Sequence, residues 1–346
     1  MKRTRIARLI AAACLTVFTT SALARSALAE SDEDYYRGKT MRVIVGFAAG
    51  GGFHTYGQVL AAHMEHFMPG RPNFIVQDMP GAATAKAAQY IYSGSPQDGT
   101  IIGLLHQGLV ANQVLDLQGG AFDVTKFNWV GRMGTRLSVG LVWHTAGVKT
   151  LADAKAKEVI LGATGPTATS VMVPMALNRL IGTKFKVVQG YQSSGEMYLA
   201  MERGETQGLG IAGWLDLTGP RADWPRDGKV FVIYQIALKR HPEMPDIPTL
   251  GDVATNPDDR KIMELLAATE DMGRSFVAGP GVPKARVAIL RDAFARMMKD
   301  PEFLADAKSK QLDVDFMPGD ELQKVVESIG AFPPALAQRA KDIVKP

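Results

Sequence analysis

Cysteine is almost missing from this chain. The single one, Cys14, lies near the start of 346 residues. If the segment around it is removed on export, no disulfide, thiol nucleophile or thiolate metal ligand remains. Long apolar runs are missing as well. Leu9 to Leu23 is the longest, about 15 residues, short of the roughly 20 that span a bilayer. Repeats and low-complexity linkers are absent, so two halves would have to be joined by structured crossings. Catalytic signatures are scarce. Gly-x-Ser-x-Gly does not occur. His63-Met64-Glu65 lacks the cysteines that a zinc deaminase needs, and His63 with His66 has no evident third metal ligand. No catalytic residue, metal or cofactor is expected, and a hydrolase is the weakest of the readings.

The first 29 residues set the expected compartment. Lys2, Arg3, Arg5 and Arg8 precede the apolar run, and Ala27-Leu28-Ala29 supplies a small-x-small cleavage pattern. Residues 1–29 therefore read as a signal peptide and the protein as periplasmic. A cut after Ala24, an uncleaved anchor and a lipid on Cys14 are the competing readings. Most of the apolar run follows Cys14, and Ala11-Ala12-Ala13 lacks the large aliphatic residue expected before a lipidation site.

The leader also carries much of the positive charge. The whole chain is +4, with 39 basic and 35 acidic residues. Residues 1–29 hold five of the basic residues and no acidic one, which leaves 34 against 35, a net of −1. Nucleic acid is thus not an expected partner. The remaining 317 residues are ample for two lobes.

Strand and helix patterns alternate along the chain. Met41 to Phe47 is apolar on both faces, as a buried parallel strand requires. A glycine-rich turn and a helix from His54 to Phe67 follow. Phe74 to Gln77, Thr84 to Tyr92, and Thr100 to Leu105 continue as strand, helix and strand. A second series begins near Trp129, with strands at 139–143, 159–162, 185–189 and 207–211. The chain accordingly reads as α/β, with two doubly wound lobes and a ligand cleft between them. Lobe 1 is expected at 30–107 plus 228–346, and lobe 2 at 108–227. The strand from Lys229 to Ile236 is expected to cross back to lobe 1. Helices with stripes such as Val287, Leu290 and Phe294 would pack the C-terminal part.

Ligands of open α/β sheets lie beyond the carboxyl ends of the strands. Three such ends in lobe 1 carry small residues: Ala48 to Gly52, Pro80 to Ala83 and His106 to Gly108. In lobe 2, Thr164 to Ser170 adds hydroxyls at the start of a helix. Helix N-termini and close-approaching glycines suit an anion. With no strong basic cluster, the pattern fits a carboxylate better than a phosphate. Each turn also has a plain reading as a tight turn. Gly52 and Phe53 stand where a P-loop needs lysine and a hydroxyl, and Thr55 stands where the dinucleotide fingerprint needs glycine.

In order along the chain come Lys39 to Val45 with Gly50-Gly51-Gly52, Met79-Pro80-Gly81-Ala82 and Pro96 to Thr100. Gly147 to Asp153, Gly190-Tyr191, Ala200 to Glu205, Pro245 to Thr249 and Ala278 to Pro283 follow. This set resembles the substrate-binding proteins of tripartite tricarboxylate transporters, the Bug receptors, over nearly all of residues 36–330. The resemblance implies a periplasmic-binding-protein-like, flytrap receptor that holds a small-molecule carboxylate. It further implies delivery to membrane transporter subunits, or else signalling to a sensor kinase, by a protein expected to be monomeric and to have no membrane span after cleavage. By position it implies ligand-binding roles for Ala49, Gly51, Gly52, Pro80, Gly81 and Ala82 in lobe 1, and for Thr164, Thr167, Ala168 and Thr169 in lobe 2. His106, Gln107 and Tyr191 occupy loops that would line the cleft. His54 stands where the family usually has aspartate, and Gln58 where it often has arginine. His54 is therefore expected either to face a more anionic ligand or to serve the helix end.

Overall fold

The computed structural model describes residues 34–81, 84–117, 120–135, 137–191 and 193–346. The leader and Ala82 lie outside the described residues.

Two mixed sheets carry the fold. In the first, β1 (Thr40–Val45) lies between β2 (Asn73–Asp78) and β3 (Ile101–Leu104), all parallel. β10 (Ser275–Ala278) pairs antiparallel with β3, then β4 (Asn128–Arg132) and β11 (Met317–Pro318) extend the sheet. The order is β11-β4-β10-β3-β1-β2. The second sheet has the order β7-β6-β8-β5-β9. Here β6 (Val159–Gly162), β7 (Phe185–Val188) and β8 (Gly208–Gly213) are parallel, and β5 (Ser138–Trp143) and β9 (Val230–Ile236) complete it antiparallel.

Two strands sit where the sequence division did not put them. β4, expected in lobe 2, belongs to the first sheet, and β9, expected to return to lobe 1, belongs to the second. Glycines accommodate both placements. Gly140 on β5 is the register partner of Tyr234 on β9, and a Cβ there would sit 2.0 Å from the ring. The fully buried Tyr234 fills that slot and donates its hydroxyl to the Gly210 carbonyl of β8 at 2.7 Å, tying three strands together. Gly131 on β4 similarly admits the ring of Phe294, which would lie 2.7 Å from a Cβ. These close approaches join residues far apart in the chain, which apolar periodicity does not encode.

Helices pack on both sheets. α1 (Gly52–Met64), α2 (Ala85–Gln89) and α3 (Leu109–Val114) follow the first three strands. α4 (Leu151–Ala156), capped reciprocally by Thr150 and Asp153, and α5 (Thr169–Ile181) flank β6. α6 (Ser194–Glu202), α7 (Trp214–Thr218) and α8 (Asp223–Arg226) complete that half. α9 (Pro257–Asp271) is the bridge. It packs on α5 and β9 on one side and on α3 on the other. Ile262, Met263, Leu265 and Leu266 are buried along it, each contributing roughly 1.5–3 kcal/mol. α10 (Lys284–Met297), α11 (Pro301–Ser309) and α12 (Gly319–Gly330) cover the first sheet, whereas α13 (Pro334–Val344) docks on α5. Arg179 of α5 donates to the carbonyls of Asp342 and Ile343. The C-terminus, placed in lobe 1 by the sequence division, thus packs on the second half.

The chain crosses between sheets after β4 and again between α9 and β10, and the two passages hydrogen-bond to each other. Met133 N–H donates to the Arg274 carbonyl at 2.9 Å, and Arg274 N–H to the Gly134 carbonyl at 2.7 Å. Arg132 braces this hinge, bonding the Asp271 carbonyl and the Asp315 carboxylate at 2.6 and 2.8 Å.

Candidate functional site

The carboxyl ends of β1, β2 and β3 form one rim. Its turns are interlocked. Thr84 is fully buried in a left-handed conformation (φ 73°), and its hydroxyl accepts the His106 N–H at 3.1 Å. Gly46 is required because a Cβ there would lie 2.6 Å from the Thr84 side chain. The glycines nearer the mouth differ. A Cβ on Gly52 would meet nothing within 4 Å, so it borders open space instead of answering a packing need. Ala49, Gly51, Gly52, Pro80 and Gly81 are all exposed on this rim.

His54, in the first turn of α1, has its Nδ1 2.8 Å from Asp78 Oδ1 at the end of β2. The imidazole therefore pairs with a carboxylate of its own rim, and about 18% of its side chain remains exposed. His106 Nδ1 accepts the Gly108 N–H at 3.1 Å, which leaves the proton of the neutral ring on Nε2. Its ring stands edge-on to Phe47 at 5.9 Å, and Phe47 stacks on Phe53 at 4.1 Å.

The second rim is made of hydroxyls. Thr164 donates its N–H to Ser170 Oγ at 3.2 Å, and the two hydroxyls lie 3.3 Å apart. Thr164, Thr167 and Ala168 are half-buried. A Cβ on Gly165 would again meet nothing within 4 Å. Tyr191 is half-buried beside Gly162, its hydroxyl pushed up by burial and by Glu205.

Both rims end in a helix without a side-chain cap. Gly51 precedes α1 and Ala168 precedes α5, and neither helix has an acidic residue in its first turn. Thr150, Ser193, Asn256 and Asp300 cap four of the other helices with their side chains, and the remaining helices share the lack of such a cap. The uncapped ends leave N–H donors and partial positive charge at the carboxyl edge of each sheet, which suits an anion.

Two expected ligand contacts are engaged with the protein itself. Gln107 Nε2 and Thr169 Oγ1 reach the same carboxylate, that of Glu270 on α9, at 3.3 and 3.2 Å. Glu270 is 1% exposed and also accepts from Ser138 Oγ at 2.8 Å. Gln107, beyond β3, and Thr169, at the start of α5, are therefore joined through one buried carboxylate. Sequence reading missed Glu270 because it lies on a helix whose other face is ordinary core. The sole hint was a glutamate flanked by Thr269 and Asp271 at the end of an apolar stripe.

His63 is accounted for apart from any metal. Its Nε2 lies 3.0 Å from Asp306 Oδ2, joining α1 to α11. Among the described residues no group of three His, Cys, Asp or Glu is arranged to hold a metal ion, and no helix is long and apolar enough to cross a membrane.

Known proteins match this arrangement. A TctC solute-binding protein from Polaromonas superposes with a TM-score of 0.65 at 19% identity, over 88% of this chain and 99% of that one. The fold is that of the TctC solute-binding proteins. MatC from Rhodopseudomonas palustris, solved with bound malate, has the same fold (TM-score 0.61, 20% identity, 89% of this chain and 99% of that one). In sequence, the UPF0065 protein in the gbd 5′ region of Cupriavidus necator is 24% identical over 299 residues, 82% of each chain. No family model matches. The motifs and the TctC-type neighbours point to the same two-lobed architecture.

Proposed function

We propose that this protein is a periplasmic solute-binding receptor, exported by its leader, which captures a small carboxylate between its lobes and delivers it to a membrane transporter. One observation carries the reading. Gln107, beyond β3 of the first sheet, and Thr169, beyond β6 of the second, bond one Glu270 carboxylate. That the two carboxyl edges, each with an uncapped helix start, are tied to one acceptor supports a shared site between them. The malate bound by MatC supports a carboxylate occupant. The contacts proposed for the guest are Ala49, Gly51, Gly52, Pro80, Gly81 and Ala82 on one side, and Thr164, Thr167 and Ala168 on the other. His54, His106 and Tyr191 are placed at the edges. No step of bond chemistry is assigned.

A thermal-shift screen over di- and tricarboxylates, aromatic acids and neutral amides tests it. A ligand at 100 times its Kd adds about 2.7 kcal/mol to apparent stability, so a carboxylate should raise the melting temperature by several degrees. Silence from every carboxylate, with a shift from an uncharged class, would overturn the anion assignment.

A further inference from the structure

We propose that Glu270 is the positioning residue of the interlobe site: its buried carboxylate fixes the distance between the two rims. Glu270 takes no hydrogen bond to its side chain from its own helix among those described. Its three donors come from three separate segments: Gln107 from the first rim, Ser138 from the first residue after a crossing, and Thr169 from the first residue of α5. A charged acceptor in a 1% exposed position binds its donors tightly, because any arm that lets go leaves the carboxylate desolvated and short of a partner.

The contacts continue outward on the first-rim side. Gln107 also accepts from Arg274 Nη1 at 3.3 Å. Arg274 lies over the Phe53 ring at 3.9 Å, and Phe53 stacks on Phe47 beside the glycine-rich turn. On the other side Thr169 directly follows Thr167 and Ala168. A rotation that parts the lobes must pull Gln107 or Thr169 off the same carboxylate. Rim separation is then governed by this side-chain junction as well as by the backbone pairing of the two crossings.

The distance claim does not depend on the ligand, and only the affinity arm below rests on the receptor reading. Spin labels on His66→Cys and Lys186→Cys, in a Cys14→Ser background, report the lobe-to-lobe distance in the full chain. Thr169→Val keeps the shape and removes the hydroxyl. It should broaden or lengthen the distance distribution, and Thr169→Ser should restore it. Glu270→Gln, which removes the charge, should broaden it at least as much. Malate affinity measured by calorimetry should fall about tenfold in Thr169→Val and recover in Thr169→Ser, the size expected when one charge-assisted hydrogen bond is lost. Unchanged distances in both Thr169→Val and Glu270→Gln would overturn the proposal, as would a broadening in Thr169→Val that serine fails to rescue. If malate does not bind the unaltered protein, the choice of ligand fails while the distances still decide the role of Glu270.

Discussion

The two rims are built by different means. The first is a rigid frame. Gly46, Thr84 and His106 lock three turns together, and aromatic rings back the glycine-rich turn. The second is a short hydroxyl cluster, Thr164 with Ser170 and Thr169 with Glu270, at the head of one helix. The frame depends on backbone shape, whereas the cluster depends on where its hydroxyls are placed.

The largest effect should come from breaking the frame. Gly46→Ala puts a Cβ 2.6 Å from Thr84, whose left-handed backbone cannot retreat freely. We expect a loss of about 3 kcal/mol in urea denaturation. Adding Thr84→Gly should recover part of it, because the two changes share one contact. Simple additivity would show that the turns are not interlocked.

Next in size is a block of the second rim. Thr167 is half-buried and takes part in no side-chain hydrogen bond among those described. Thr167→Trp should abolish carboxylate binding in calorimetry while changing stability by less than about 1 kcal/mol. Unchanged affinity would remove this turn from the site.

The smallest effect separates the hinge from the outer surface by pH. Asp313, at the crossing, is pushed up by burial, with Asp315 adding to the rise against Thr135, Arg132 and Arg274. The folded state therefore holds this proton more tightly than the unfolded chain does. The stability it contributes is fully present below the ordinary value of 3.8 and is lost as pH climbs through the raised one. Asp306 runs the other way, pulled down by Lys310 and then His63, so its contribution is present above 3.8 and lost on acidification. Asp313→Asn should flatten the decline above 3.8, and Asp306→Asn the loss below it, each by roughly 0.5 kcal/mol in denaturation curves taken across pH. Identical pH profiles for the two variants would refute the contrast.

Most secondary structure was legible in the sequence. Val159 to Gly162 is a strand with the expected bounds, and Asp300-Pro301 and Pro318-Gly319 open helices. These follow from local rules: apolar period, cap chemistry, and proline at a helix start. The candidate turns were legible for the same reason, since Gly51 and Thr164 sit at strand-to-helix junctions. His54 was left between two readings, and the structure pairs it with Asp78, 24 residues away, a partner no local pattern names.

The sequence by itself determined most of the strands, several helix starts and the small-residue turns, because each depends on residues a few positions apart. Tertiary structure alone decided which sheet β4 and β9 join, since Gly131 and Gly140 matter only once Phe294 and Tyr234 arrive to fill their space. It also decided that Gln107 and Thr169 serve Glu270. Those donors lie 163 and 101 residues from their acceptor, and a buried charge draws its partners from whatever the fold brings within reach, not from its neighbours along the chain.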